Sequence, residues 1–385
     1  MQHKLSTSVE LILLIVYALM WSVVPLYALF STYILYASGL TLIEIGVFST
    51  SYNVASMIGQ YSLGYLSDIM RSRRRVIIVD LLAVSLLTFF IMLSMRTIYY
   101  MIVSVLMGFL AGGFSTLMLA SSSEISVAKL GRNISIVRIG GAIGWIGGSL
   151  IIPLVIIKSS LRYAFLFALI ESLIALTIVT LMLKETYSTK FTTKLTLSTW
   201  AALSLYSLIA GLTISSASWF LPVYVFIKRG SILYLGEVIA AGATAEVPIM
   251  VITGRLFDSS LLFRKHLFII NGVALSLAFT LYSIVPLSAL YLAQVIRGIG
   301  YALFIISTPA LLMSLGVERG KGSAVFFTMF SMGSILGGLI GGVVSTMIGV
   351  RNLFILLSLL FLLVSLVMNI ALRSRVHEVQ QSLKS

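Results

Sequence analysis

The stretch GYLSDIMRSRRR, residues 64–75, returns 190 residues later as GRLFDSSLLFRKH, residues 254–266. Each copy opens on a glycine where an apolar run is ending, sets an aspartate four positions on, and then brings in basic residues. The same offset carries Gly46 to Gly236, Gly108 to Gly298 and the pair Gly147-Gly148 to Gly337-Gly338. One such match would be an accident, but a constant offset through three separate apolar runs and the loop after the first of them marks two homologous halves. The turn between two apolar runs is thus duplicated, and what surrounds it decides the architecture.

The surroundings are apolar. Of 385 residues 59% are hydrophobic and 10% charged, and the mean hydropathy is +1.10, far more apolar surface than a water-soluble core can enclose. Runs of about 20 residues or more, long enough to cross a bilayer, fall near 11–35, 43–66, 76–95, 98–121, 134–157 and 161–183, and again near 198–226, 232–254, 267–286, 288–313, 323–347 and 352–372. The sequence therefore predicts an all-α membrane protein of twelve transmembrane helices, spans 1 to 12, in two pseudo-symmetric six-helix bundles. Residues 1–183 form the first bundle, 184–197 a polar linker, 198–372 the second bundle and 373–385 a tail.

The net charge of +14 does not call for nucleic acid once its distribution is read. With both termini in the cytoplasm, the cluster Arg71, Arg73, Arg74 and Arg75, the linker lysines Lys184, Lys190 and Lys194, and Arg255, Arg264 and Lys265 lie inside. Arg96, Lys158, Arg162, Lys228, Arg229 and Arg351 lie outside. Over the whole chain the bias is about three to one, as the positive-inside rule requires of a multi-pass protein of the cell membrane. There is no cysteine and there are only three histidines, so neither a thiolate metal site nor a metal cluster is expected, and no sequence feature asks for a cofactor.

The loop GYLSDIMRSRRR and its repeat resemble the signature loop of the major facilitator superfamily. LGRNISIVRIGGAIGWIGG (130–148) and ERGKGSAVFFTMFSMGSILGGLIGG (318–342) resemble that family's fifth and eleventh helices with the loops before them. The resemblance covers essentially the whole chain. It implies a cavity lined by spans 1, 4, 7 and 10, domain contacts through spans 2, 5, 8 and 11, and spans 3, 6, 9 and 12 on the outside. It also implies a cytoplasmic latch in which Asp68 with Arg73 and Arg74, and Asp258 with Arg255, brace helix ends; Asp68 would tie spans 2 and 11. The basic residue usual after the aspartate is Ile69 here, and the usual glycine is Arg71. LPVYVFIKRG and AAGATAEVPIMVITG (221–230 and 240–254) are similar to the sugar efflux branch of the family.

Charges inside spans are candidates for function, because an acidic or basic side chain at a helix centre costs roughly 2.5–3.5 kcal/mol on insertion scales. Arg138 in span 5, Glu171 in span 6, Glu246 in span 8 and Arg297 in span 10 are read so. Glu246 and Arg138, one from each half, are expected to pair across the domain interface when the cytoplasmic side is closed, with protonation of Glu246 breaking the pair and freeing the halves to rock; Glu171, on a peripheral span, is expected to bond a neighbouring helix. QVIRGIGYALF (294–304) resembles the family's span-4 arginine motif, yet it lies in span 10, and its span-4 mate is Met107. Gly140, Gly144 and Gly148, and Gly333, Gly337 and Gly341, give helix-packing faces of small residues. Tyr17, Trp21, Asn53, Trp219, Tyr224, Gln294 and Tyr301 are candidate cavity residues, aromatic rings to stack on a solute and amides to hydrogen-bond it.

The expected function is secondary active transport by alternating access, proton-coupled efflux of a small organic solute, sugar or drug-like. Uptake together with protons and a non-transporting sensor are the alternatives. No nucleotide-binding glycine loop or Ser/His/Asp set points to an enzyme. The partners are the solute, protons and the bilayer, and a monomer is sufficient.

Overall fold

A computed structural model describes residues 2–125, 130–186, 197–314 and 319–372, and among them it is helical throughout, with no strand. Span 1 is two helices, α1 (Gln2–Tyr27) and α2 (Leu29–Ala37), broken at Ala28. Pro25 lies in the last turn of α1 and has no N–H to continue the ladder, which is a sufficient cause for the break. The rest of the first half is α3 (Leu42–Ile69), α4 (Arg73–Leu93), α5 (Thr97–Ile125), α6 (Leu130–Lys158) and α7 (Leu161–Met182). The second half is α8 (Leu197–Ile227), α9 (Ile232–Ser259), α10 (Leu261–Ile284), α11 (Leu290–Ser314), α12 (Arg319–Ile348) and α13 (Val350–Leu372). Spans 2 to 12 are thus α3 to α13.

The repeat extends to the turns. Gly39 takes a left-handed φ of 98°, and the N–H of Leu40 closes the end of α2 on the carbonyl of Leu35. Arg229 takes φ 60°, and Gly230 closes α8 on Val225 in the same way. Thr41 then caps α3, exchanging hydrogen bonds with Glu44, and Ser231 caps α9 by accepting from the Tyr234 N–H.

Among the described residues eleven spans, α1 with α2 counted as one, are long and apolar enough to cross a membrane. The exception to the expected twelve is α3. Its 28 residues include Ser49, Thr50, Asn53 and Gln60, and these face the other half of the molecule, not lipid. Thr50 donates to the Ile335 carbonyl of α12 (3.1 Å), Asn53 to that of Ser334 (3.1 Å), and Gln60 accepts from Ser331. Where α3 and α12 come closest, a Cβ at Gly46 would stand 2.9 Å from the Gly338 carbonyl and from the Gly342 Cα.

The glycine faces of α6 and α12 lie elsewhere. Any Cβ at Gly140, Gly144 or Gly148 would overlap the carbonyls of Leu14, Ala18 or Ser22 of α1, and one at Gly333 or Gly337 those of Leu208 or Leu212 of α8. Gly341 meets Ser216 and Phe220 of α8. Both stripes tie helices within one half, whereas the halves meet through α3 with α12 and α6 with α9. Outside, α4, α7, α10 and α13 present large apolar side chains such as Leu181 and Ile370.

At the end where α2 and α8 finish, the halves are sealed. Tyr33 donates across the gap to the Gly230 carbonyl (2.9 Å), and the rings of Tyr33 and Tyr36 stand edge-on to Phe226 at 5.2 and 5.6 Å. At the opposite end α3 and α12 also touch across the halves: Tyr61 hydrogen-bonds Thr328, and Gln60 accepts from Ser331.

Candidate substrate cavity

Between the halves lies a cavity of about 280 Å³. Tyr17 and Trp21 of α1, Asn53 of α3, Arg138 and Trp145 of α6, Trp219 of α8, Glu246 of α9, Tyr282 of α10, and Gln294, Arg297 and Tyr301 of α11 line it, with Phe330 and Ser334 of α12. Span 4, expected to contribute, supplies no lining residue. Its Phe114 stacks on the Tyr17 ring (6.0 Å, 8° between planes), and Tyr17 reaches toward Ser115, so α1 covers α5.

The charged centre is built by close helix approach. Gly298 of α11 lies against Gly242 of α9 so tightly that a Cβ at either would strike the opposing chain. That approach lets Arg297 span the gap, and its Nη2 reaches Glu246 Oε1 at 2.6 Å. Both side chains are nearly buried, with 12% and 9% exposure. The guanidinium also lies 5.5 Å from the centre of the Tyr301 ring. Gln294, one turn before Arg297, accepts from the Tyr282 hydroxyl.

No bond joins Glu246 to Arg138 among the described residues. Glu246 bonds Arg297 of its own half, because the glycine contact brings α11 closer to it than α6. Arg138 lines the cavity from the other half, where its guanidinium sits 5.5 Å from the ring of Phe327 on α12. Among the described residues it has no carboxylate partner. The aromatic wall is continuous on the first half: Tyr17 to Trp21 at 5.7 Å and Trp21 to Trp145 at 5.4 Å. Trp219 faces them from α8, held edge-on by Phe48 and Tyr52 of α3.

Two of the predicted residues lie outside the cavity. Tyr224 packs on Phe354 of α13 (5.5 Å) near Lys228. Glu171 accepts from Ser22 of α1, a bond between neighbouring helices.

The duplicated loop builds a second cluster. Arg73 reaches Asp68 at 2.7 Å and Glu124 of α5 at 3.0 Å, and donates to Ser67. Glu185 accepts from the Arg73 N–H (2.9 Å) and from Ser72, while Arg74 donates to the Thr180 carbonyl (2.5 Å). The cluster ties the ends of α3, α4, α5 and α7. Asp68 is bonded within its own half, and no bond from it to α12 occurs among the described residues. Glu124 and Glu185 were missed in the sequence, although each is an acid at the end of an apolar run with a basic cluster to neutralise. The side chain of Asp258 lies outside the described residues; Arg255 is exposed on α9. Among the described residues no group of His, Asp and Glu could hold a metal ion.

A family model described as Major Facilitator Superfamily matches residues 11–316 and 260–384. No curated protein sequence matches the chain. Among solved structures, the nucleoside transporter NupG superposes with a TM-score of 0.74 at 16% identity, covering 94% of this chain and 98% of that one. The human organic anion transporter MFSD10 (TETRAN) gives 0.71 at 16% identity over 94% and 99%. A bacterial homologue of the human lysosomal transporter Spinster, inward-facing and unoccupied, gives 0.70 at 13% over 96% and 97%. At these identities the likeness establishes the fold and leaves the cargo open.

Proposed function

The chain belongs to the major facilitator superfamily, and from that premise and the cavity we propose that it is a proton-coupled secondary active transporter that moves a small organic solute by alternating access. It works in the cell membrane with both termini in the cytoplasm, so the end closed by Tyr33, Tyr36 and Phe226 faces outward. The observation that carries the reading is the Glu246–Arg297 ion pair in the cavity wall. A carboxylate held by an arginine in a site of low dielectric binds a proton only by giving up the pair, so proton binding releases a guanidinium into the cavity. The proton and a solute that uses Arg297 then favour each other's binding, which makes co-transport into the cell the coupling that the site supports best.

Export in exchange for protons, the direction expected from the sequence, is the second reading. The sign of the coupling separates the two. In proteoliposomes offered labelled sugars and monocarboxylates, an acidic exterior should accelerate uptake if the proton travels with the solute; an acidic interior should do so if they exchange. Glu246→Gln should lose the dependence on the gradient by tenfold or more while solute binding persists. Unchanged gradient-driven flux in that variant would remove Glu246 from the mechanism.

A further inference from the structure

The polar groups of the cavity are unequal in sign and in kind. Arg297 is matched by Glu246, but Arg138 faces the same space with no carboxylate partner among the described residues, leaving one positive charge uncompensated. Hydrogen-bonding capacity is skewed the same way. The Trp21 Nε1 and the Arg297 Nε are buried donors with no acceptor. Two of the acceptors are taken, Glu246 Oε1 by Arg297 and the Gln294 oxygen by Tyr282. An unpaired cation and orphaned donors are each costly in a membrane interior, and both are satisfied by one kind of ligand, an anion rich in acceptors.

We infer that the substrate is a small organic monoanion, carboxylate-like at one end and carrying a flat or ring-shaped apolar body, with Arg138 as the anchor of its charge. The inference rests on the transporter reading above and names the class of its cargo. Trp21 and Trp145 beside Arg138, with Trp219 opposite, supply the faces for the body. A cavity of about 280 Å³ stands just under the range of roughly 300–1,000 Å³ usual for ligand sites, so the ligand is metabolite-sized.

Charge bookkeeping then fixes how the proton enters. Around Glu246, α11 presents Arg297 and Tyr301, α6 presents Arg138 and α10 presents Tyr282, while α8 offers serines, Trp219 and aliphatic groups. The empty site, with two arginines and an ionised Glu246, carries a surplus of one positive charge. Loaded with an anion and a proton on Glu246, it carries the same surplus. Exchange would instead alternate between a neutral site and one with two uncompensated cations. Anion and proton loaded together leave the charge that crosses with the protein unchanged.

Binding to the purified full-length protein tests this without any gradient. Three matched probes share one body, indole-3-acetate, indole-3-acetamide and tryptamine, and a second set is benzoate, benzamide and benzylamine. In each set the carboxylate should bind at least tenfold more tightly than the amide, and the amine least. Arg138→Gln should erase the preference for the carboxylate and Arg138→Lys should retain part of it, with thermal unfolding confirming that both variants are folded; Trp21→Phe should weaken the carboxylate more than the amide. Amides binding as tightly as carboxylates in both sets, no carboxylate binding in either, or a preference that survives in Arg138→Gln would overturn the inference. Gradient-driven flux of a neutral sugar with no anion binding would sink it and leave the transporter reading standing. Carboxylate binding lost in Arg138→Gln, with no gradient-driven flux, would do the reverse.

Discussion

Asp80 is a carboxylate in the apolar run of α4, 1% exposed, and neither of its oxygens has a hydrogen-bond partner. Glu246 is also buried but is bonded to Arg297 and opens on the cavity, which Asp80 does not. Burial alone therefore does not assign a coupling role; a partner that can be released and a solute within reach are also needed. Asp80→Asn should leave transport and its pH dependence intact and change stability by no more than about 1 kcal/mol, since no hydrogen bond is lost. Loss of the pH dependence in Asp80→Asn, followed by flux across a range of external pH, would move the coupling site to α4. Asp80 escaped the sequence reading because it stands four residues into its run, beside Arg71, Arg73, Arg74 and Arg75, where an acid reads as part of a charged boundary.

At the scale of elements, two turns hold arginine where the backbone suits glycine. Arg71 has φ 47° and Arg229 φ 60°, and a non-glycine residue in the left-handed region costs roughly 1–2 kcal/mol. Both side chains are exposed. Arg71→Gly and Arg229→Gly should each raise stability by about 1 kcal/mol in reversible unfolding, and a loss of stability would mean that the arginine makes contacts outweighing the strain. Arg71 was legible as a departure from the family's glycine, yet its φ was not, because the left-handed turn comes from the Ser72 N–H reaching back to the Ser67 carbonyl. The spans were legible from hydropathy because lipid demands it of eleven of them. α3 fails the same test because its polar face is spent on α12. The partner of Glu246 was not legible: the repeat showed Gly298, but only the packed helices show that it meets Gly242 and so brings Arg297 within reach.

For the whole molecule, the absence of cysteine makes introduced thiols unambiguous. Cysteines at Ser188 in the linker and at Ser288, exposed between α10 and α11, should react with impermeant reagents from opposite faces of the membrane; reaction from the same face would invert the topology. Cysteines at Tyr36 and Phe226, whose rings meet across the seal, should stop transport when joined by a short bis-maleimide while leaving binding from the other side in place. Transport unaffected by the linkage would show that this end never opens. The Glu246–Arg297 pair lies wholly in the second half, between α9 and α11, whereas Arg138 belongs to the first. When one half tilts on the other as a rigid body, the length of that ion pair is conserved and only its separation from Arg138 changes. Under the proposed coupling the pair is a memory rather than a hinge: it would keep a record of whether a proton has been taken up, carry that record unchanged through the crossing, and give it up only when Arg138, approaching or receding with whatever it holds, alters the field in which the record is read.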